Sequence, residues 1–115
     1  MDAVPGAARL NDTVAGTTSG EHSGHAPPHA PMAFSGEISS GCWGDVLING
    51  RPAATVGSVT VERDGCCGSS LGSVAVGSSR VFIHGQPAAR LGDALNAHSG
   101  SGAITSGSGD VFIGG

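Results

Sequence analysis

Short runs in which polar and apolar residues alternate recur along this chain. Ser79–Ile83 and Gly109–Ile113 are two such runs, both rich in Val, Phe and Ile. A two-residue period over so few residues is typical of a short, half-buried β-strand. Three further strand signals, about one for each stretch of 30 to 40 residues, lie at Gly36–Ser40, Ser73–Gly77 and Ala103–Gly107. Val59–Arg63 is predicted to be an extra, exposed strand. No window has a helical period, so the pattern predicts an all-β protein.

The strands belong to a sequence that repeats three times. The phrase Val-x-Ile-x-Gly ends each copy, as VLING at 46–50, VFIHG at 81–85 and VFIGG at 111–115. An Ala-Ala phrase begins each copy, as AARLND at 7–12, AATVGS at 53–58 and AARLGD at 88–93. The repeats therefore span about 7–50, 52–85 and 87–115 within one domain, residues 1–115. Three equivalent units predict pseudo-threefold symmetry, which suits a cap on the end of a trimer.

The residues around each strand end predict tight turns. Asn49-Gly50 and His84-Gly85 tolerate a positive φ, as a two-residue hairpin turn requires. Pro87 fixes φ at the start of the return strand, and the small Ala pair that follows suits close packing near an axis. Arg9 with Asp12, and Arg90 with Asp93, are predicted to form ion pairs within their own turns. We expect these pairs to be exposed, structural and weak.

The composition predicts a thin core. The chain has 115 residues, with three Phe, one Trp, no Tyr, 21 Gly and six Pro. Few bulky side chains are available to fill an interior, so we expect a stabilising element other than apolar burial. The net charge is −4 and the chain contains no Lys. Nucleic acid and anionic membrane surfaces are therefore poor partners.

The sequence has no apolar run of membrane-spanning length and no secretory signal pattern at its first residues. The chain is expected to be made in the cytoplasm and carried out of the cell by another device. Three cysteines, at 42, 66 and 67, are an odd number for a secreted disulfide framework. Thiols available to a metal are the better interpretation.

Histidine and cysteine residues are the candidates for chemistry. A loop insertion at 16–35 in the first repeat carries His22, His25 and His29, the second repeat carries Cys66 and Cys67, and the third carries His98. All occupy the segment between the Ala-Ala phrase and the central strand, so threefold folding would bring them to one end of the domain. Zn²⁺ prefers four nitrogen or sulfur ligands in a tetrahedron. The spacing leaves open which two of the three loop histidines bind.

A purely structural interpretation of the same residues is also possible. The histidine loop would then be polar surface, and the cysteines small buried apolar residues. His84 belongs to this structural class, because it holds the turn position that Asn49 holds in the first repeat. Cys42 is assigned to packing, at a position equivalent to Ser78 or Ser108. No nucleophile elbow, phosphate loop or Ser-His-Asp order is present.

The phrases PAARLGD at 87–93, AARLND at 7–12 and PAATVGS at 52–58 resemble the Pro-Ala-Ala-Arg repeats of the PAAR family. The resemblance extends from Ala7 to Gly115. It departs at Thr55 and Ser58, which stand where the pattern has Arg and Asp, and at Gly6, which separates Pro from Ala-Ala. The resemblance implies a small conical all-β domain that forms the sharp tip of a trimeric β-helical spike. Such spikes are of the VgrG kind in type VI secretion, or the central spike of contractile phage tails.

The resemblance also implies a metal, usually zinc, held near the apex by three histidines and one cysteine. Carried over to this sequence, the ligands are His25, His29, Cys67 and His98. His22 is a close substitute for one of the loop histidines, and Cys66 for Cys67. Zinc is favoured over iron, although iron also accepts histidine-rich ligation.

The implied role is mechanical and not enzymatic. One copy would cap a homotrimeric spike through its broad apolar base, sharpen it, and meet the target membrane transiently as part of a phage tail or contractile injection particle. A zinc hydrolase, with Glu21 or Glu37 as base, is the main alternative; it would need an open metal position and a cleft. A third alternative is an adhesin or secreted effector. Because the chain begins and ends with repeats, a bare tip is favoured.

Overall fold

The computed structural model describes residues 4–18, 32–64, 68–97 and 100–115. Within these ranges the chain forms β-strands, turns and irregular segments, and the all-β prediction is confirmed. The strands in chain order are β1 (Thr13–Thr17), β2 (Ala33–Ser40), β3 (Trp43–Ile48), β4 (Arg51–Ala53), β5 (Val59–Asp64), β6 (Gly68–Val74), β7 (Phe82–Ile83), β8 (Gln86–Pro87), β9 (Leu95–Asn96) and β10 (Ser101–Ile104).

Six of the strands form one antiparallel sheet in the order β10-β1-β2-β5-β6-β9. A bridge between Ala94 and Ala103 brings the two edges of this sheet together. The sheet is therefore a nearly closed barrel, and side chains on its inner face are hidden from water. The remaining strands form two hairpins, β3–β4 and β7–β8.

The inside of the barrel is filled mainly by aliphatic side chains and one phenylalanine. Ile38, Val14, Val74 and Ile104 are at most 1% exposed. Phe34 is 4% exposed, and its ring lies against two glycines. A Cβ added to Gly16 or Gly102 would come within 2.7 or 2.6 Å of the ring. Glycine at these two positions therefore makes room for the aromatic ring in a narrow barrel.

A ring of backbone hydrogen bonds joins the three repeats below the barrel. Ala8 donates its N–H to the carbonyl of Ala89 (2.9 Å), Ala89 donates to Ala54 (3.0 Å), and Ala54 donates to Ala8 (3.1 Å). Each alanine is the second of its Ala-Ala pair and is almost fully buried. A side chain larger than a methyl group would crowd the axis of this ring. The three-unit repeat of the sequence is therefore a pseudo-threefold arrangement in space.

The turns that follow the alanines are equivalent as well. Residue i+3 of each turn donates its N–H to the carbonyl of residue i at 3.0 Å, as in the Asp12–Arg9, Ser58–Thr55 and Asp93–Arg90 pairs. The residue at i+2 has a positive φ in every copy: +71° at Asn11, +92° at Gly57 and +90° at Gly92. This is the requirement of a type II turn, which Gly and Asn meet with least strain.

A second apolar layer lies on the far side of the alanine ring. We call it the base layer. Its members are the first alanine of each pair and the isoleucine of each Val-x-Ile-x-Gly phrase: Ala7, Ala53, Ala88, Ile48, Ile83 and Ile113. The second alanines belong instead to the barrel core. The alanine ring therefore separates a barrel from a base, each with its own apolar interior.

Several predictions about individual strands need correction. Of the run predicted at Ser79–Ile83 only Phe82–Ile83 is a strand, β7, and Gly109–Ile113 forms a single bridge, between Phe112 and Gly6. Val59–Arg63 is not an exposed extra strand, because β5 lies between β2 and β6 and buries Thr60 and Glu62. The insertion at 16–35 is shorter than predicted, because its first two residues extend β1 and its last three begin β2. The strands predicted at Ser73–Gly77 and Ala103–Gly107 begin and end earlier, as β6 and β10.

Candidate functional site

The predicted metal ligands His25, His29, Cys67 and His98 lie outside the described residues. Their substitutes, His22 and Cys66, lie outside them as well. The ligand set therefore stays a prediction. Within the ranges that the structure does describe, no group of three or more His, Cys, Asp or Glu side chains is arranged to hold a metal ion.

The strands that lead into these segments all point to one end of the barrel. Thr17, at the end of β1, pairs both with Ala33 at the start of β2 and with Ser101 at the start of β10. Asp64, at the end of β5, pairs with Gly68 and with Phe34 next to Ala33. Two of the segments that carry predicted ligands, 18–32 and 65–67, are therefore bracketed by strand ends at the same end of the barrel, which we call the apex. The third segment, which carries His98, leads from β9 into the start of β10 at this same end.

The opposite end carries exposed apolar side chains at one position of each repeat. Leu47, Phe82 and Phe112 are the middle residues of the Val-x-Ile-x-Gly phrases and are 59%, 56% and 55% exposed. We call them the apolar triad. The isoleucine that follows each of them is buried in the base layer. Three large apolar groups exposed at equivalent positions of the three repeats are a candidate contact surface for another protein.

Contacts between hairpin turns and neighbouring repeats surround the base. The Asn49 side-chain amide donates to the carboxylate of Asp110 at 2.7 Å, and Ser79 donates its hydroxyl to the Gly115 oxygen at 2.7 Å. Nε2 of His84 lies 2.8 Å from the carboxylate of Asp45. The hydrogen bond with His84 lowers the pKa of Asp45, and the hydrogen bond from Asn49 lowers the pKa of Asp110. Each repeat is thus tied to the next at the rim of the base.

His84 is a turn residue, as its equivalence to Asn49 predicted. It has a φ of +51°, and its ring stacks on Trp43 with the centroids 4.2 Å apart. Trp43 is the ladder partner of Ala53. In the next repeat Ser78 makes the corresponding contact, because its N–H donates to the carbonyl of Ala88. Trp43, and not Cys42, is therefore the structural equivalent of Ser78, and the predicted alignment was wrong by one residue.

Cys42 packs against the barrel core, as predicted. Its side chain is half-buried, and its thiol lies 3.9 Å from the hydroxyl of Ser58. Burial raises the pKa of the Cys42 thiol, which keeps it protonated and unreactive. Cys42 is therefore a packing residue and no part of the predicted metal site.

The arginine–aspartate pairs form within their turns, as predicted, but they are not exposed. Asp12 accepts hydrogen bonds from Nε and Nη2 of Arg9 at 2.9 Å, and Asp93 accepts the same pair from Arg90 at 3.1 and 3.0 Å. The Asp12 and Asp93 side chains are 2% and 8% exposed. Each carboxylate also accepts the backbone N–H of its arginine. These pairs hold the turns beside the alanine ring.

Replacing Asp12 by Ser is expected to lower the free energy of unfolding by about 3 kcal/mol, because it leaves the Arg9 guanidinium without its carboxylate. The second repeat supplies the matched control, since Ser58 there accepts the backbone N–H of Thr55 at 3.0 Å. The double variant Arg9→Thr/Asp12→Ser should recover most of the loss. Urea unfolding measures the free energy of unfolding of the single and the double variant. An equal decrease in the two variants would show that the unpaired guanidinium is not the cause.

Sequence reasoning missed two sets of residues. The apolar triad was not singled out, although its position in the repeated phrase was visible. Glu62 was placed on an exposed strand, but it is 4% exposed inside the barrel. The two-residue period of β5 places Glu62 on the same face of the strand as Thr60, and this period was the available signal. Polar residues usually face the solvent, so the face of β5 that carries Thr60 and Glu62 was predicted to be the outer face.

Taken together, the barrel, the alanine ring and the base layer define an all-β repeat protein with pseudo-threefold symmetry. A family model described as the PAAR motif matches residues 30–97, more than half of the chain. The protein therefore belongs to the PAAR-motif family. Members of this family cap VgrG spikes in secretion systems, and the family is one of structural spike-tip domains, not of enzymes.

A comparison with curated proteins finds no match to this chain. The described residues include no helix long and apolar enough to cross a membrane.

Proposed function

We propose that this protein is a metal-stabilised tip that caps a homotrimeric β-helical spike, of the VgrG or phage central spike type. The observation that carries the proposal is the pseudo-threefold ring formed by Ala8, Ala54 and Ala89, with the apolar triad exposed at equivalent positions beside the base layer. A single chain with three equivalent faces can make the same contact with each subunit of a trimer. The role is to sharpen the spike for piercing a cell envelope.

The apolar triad is the proposed contact with the spike. A homotrimer offers three equivalent positions at its end, and Leu47, Phe82 and Phe112 offer three equivalent side chains. Covering one such side chain is worth about 1.5–3 kcal/mol. One copy would therefore bind at the C-terminal end of the trimer's β-helix, as a monomer on a trimer, and touch the target membrane only as the particle pierces it.

The proposed metal ligands are His25, His29, Cys67 and His98. The donor set fits zinc, because three imidazoles and one thiolate complete a tetrahedron without an open position. The fit is also supported by the strand ends at the apex, which bracket the segments of His25, His29 and Cys67 and include the start of β10, the strand that follows His98. His22 and Cys66 remain alternatives within the same segments, and iron is a less favoured ion. When bound, the metal would tie the three repeats together at the point of the tip.

A zinc hydrolase is not favoured. Of the two bases considered for it, Glu37 lies in β2 and accepts two hydrogen bonds from the guanidinium of Arg63, both at 2.6 Å. Those hydrogen bonds lower the pKa of Glu37, so it is a poor general base. Glu21 lies outside the described residues. The chain is therefore proposed to act as a structural part of a phage tail or injection particle that is delivered outside the cell.

Size-exclusion chromatography tests the proposed function. The protein is mixed with a trimeric β-helical spike fragment from the same particle, and a complex that elutes ahead of either component is expected. Elution as two separate components at micromolar concentrations would contradict the proposal. The zinc content of the purified protein, measured in parallel, tests the metal separately from the docking.

A further inference from the structure

The third repeat of the base pairs with a distant part of the chain. In the first two repeats, the strand that carries a triad residue is followed at once by its return strand, as β3–β4 and β7–β8. In the third repeat, Phe112 forms an antiparallel bridge with Gly6, and the N–H of Ala7 donates to the carbonyl of Val111 at 2.9 Å. Residues 5–7, which we call the return segment, therefore supply the return strand from the opposite end of the sequence.

The register of this pairing is that of the second repeat. There the triad residue Phe82 pairs with Pro87, which precedes the Ala-Ala phrase. The N–H of Ala88 donates to the carbonyl of Val81 at 2.9 Å. Both contacts have a counterpart in the third repeat. The return segment therefore gives Phe112 the backbone neighbours that a continuous hairpin gives Phe82.

The ends of the two paired strands also match those of the other repeats. The N–H of Ile113 donates to the carbonyl of Pro5 at 3.0 Å. Gly115 has a φ of +83°, and the glycines at the same place in the two hairpin turns, Gly50 and Gly85, have φ values of +78° and +79°. The third repeat is therefore paired like the others, although its two strands are not consecutive in the chain.

Gly6 lies where the return segment comes close to the backbone of the third repeat. A Cβ added to Gly6 would lie 2.2 Å from the carbonyl oxygen of Ser108. The carbonyl of Gly6 also accepts the N–H of Leu91 at 2.8 Å. The return segment is therefore held on both of its edges, and a side chain at position 6 would push it away from the third repeat.

We propose that the return segment is a clasp that positions Phe112 for docking. While the clasp is closed, Phe112 holds a position equivalent to those of Leu47 and Phe82. When it opens, the strand of Phe112 loses its pairing partner, and ordering that strand again on the spike costs conformational entropy. Spike binding and closure of the clasp then favour each other by the same factor, because linkage is reciprocal. The inference rests on the proposed docking through the apolar triad and adds to it a segment that controls one of the three contacts.

Amide hydrogen exchange in the wild type tests the clasp without any variant. The N–H groups of Ala7 and Ile113 donate across the clasp, so their exchange reports its opening. Saturation with a trimeric spike fragment is expected to slow this exchange by about 10-fold, the factor in affinity expected for one triad contact. The amides of β5, in the barrel wall, should not change. Unchanged exchange at Ala7 and Ile113 in a complex that does form would overturn the clasp, whereas the absence of a complex would contradict the docking on which it rests.

A variant at Gly6 separates positioning from simple coverage of the two amides. Gly6→Ala places a methyl group against the Ser108 oxygen, and is expected to speed the exchange of both amides and to weaken spike binding by about 10-fold. Gly109→Ala is the matched control, because a Cβ there would come within 4 Å of no atom of the described residues. The control should match the wild type in exchange and in affinity.

The double variant Gly6→Ala/Phe112→Ser shows whether the clasp acts through the triad. With no phenylalanine left to position, Gly6→Ala should cause no further loss of spike affinity beyond that of Phe112→Ser alone. A Gly6→Ala variant that binds the spike as tightly as the wild type, or that loses the same factor with and without Phe112, would overturn the proposed role of the return segment.

Discussion

Removing the proposed zinc with a chelator is expected to lower the unfolding temperature of this protein by more than about 20 °C. A structural zinc contributes on the order of 10 kcal/mol, about as much as the whole stability of a typical domain. The barrel core cluster contains one aromatic residue, Phe34, among small and aliphatic side chains, so apolar burial is a weak substitute. Circular dichroism during heating, with and without chelator, measures the change.

Variants of the proposed ligands should reproduce the loss. His98→Ala and Cys67→Ser are each expected to lower both the bound zinc and the unfolding temperature. His84→Asn is the matched control: it removes another histidine but installs the residue that Asn49 supplies at the equivalent turn, where φ is also positive. Full zinc content in both ligand variants, or an unfolding temperature that a chelator does not change, would remove the proposed site.

The open choices among ligands can be decided in the same experiment. His22→Ala and Cys66→Ser are expected to keep the metal, because His25, His29 and Cys67 are the proposed ligands. Loss of zinc in His22→Ala, together with its retention in His25→Ala or His29→Ala, would reassign the loop ligand. The corresponding comparison of Cys66→Ser with Cys67→Ser decides the thiolate.

Replacing both phenylalanines of the apolar triad by serine is expected to weaken binding to the trimeric spike by at least about 100-fold. Each phenylalanine that loses its cover costs about 1.5–3 kcal/mol, and a factor of ten in affinity corresponds to about 1.4 kcal/mol. Phe82→Ser/Phe112→Ser should fold normally, because both side chains are more than half exposed. Isothermal titration calorimetry against a spike fragment gives the affinities.

Leu71 supplies the matched control for the docking experiment. It is 66% exposed, more than any member of the triad, but it lies on β6 in the wall of the barrel and away from the base layer. Leu71→Ser should therefore bind the spike as the wild type does. An equal loss of spike affinity in Leu71→Ser and in the double phenylalanine variant would show that removing any exposed apolar side chain weakens binding, and that the triad is not the contact.

The features that could be predicted from the sequence are those that recur in it. The Ala-Ala phrases predicted close packing near an axis, and the alanine ring is that packing. The pairing of Arg9 with Asp12 followed from their spacing within a turn. Its burial did not, because Asp12 also accepts a hydrogen bond from Ser106, which is 94 residues away in the sequence. Exposure depends on such distant neighbours, and a local spacing does not contain them.

The features that could not be predicted depend on how strands pair. β5 looks like a surface strand because one of its faces is polar, and only its position between β2 and β6 shows that Thr60 and Glu62 face inward. The boundary of the histidine loop was misplaced because Gly16 resembles the loop in composition. It is a strand residue that makes room for Phe34. The metal ligands were chosen by residue type and resemblance, and they remain a prediction.

The central claim is that three repeats of one chain match three subunits of a partner, and the stoichiometry of the complex tests it most directly. Native mass spectrometry of this protein bound to its trimeric spike should give one copy of the chain for every three spike subunits. A complex with three copies on one trimer, or with one copy on a single spike subunit, would contradict the threefold match.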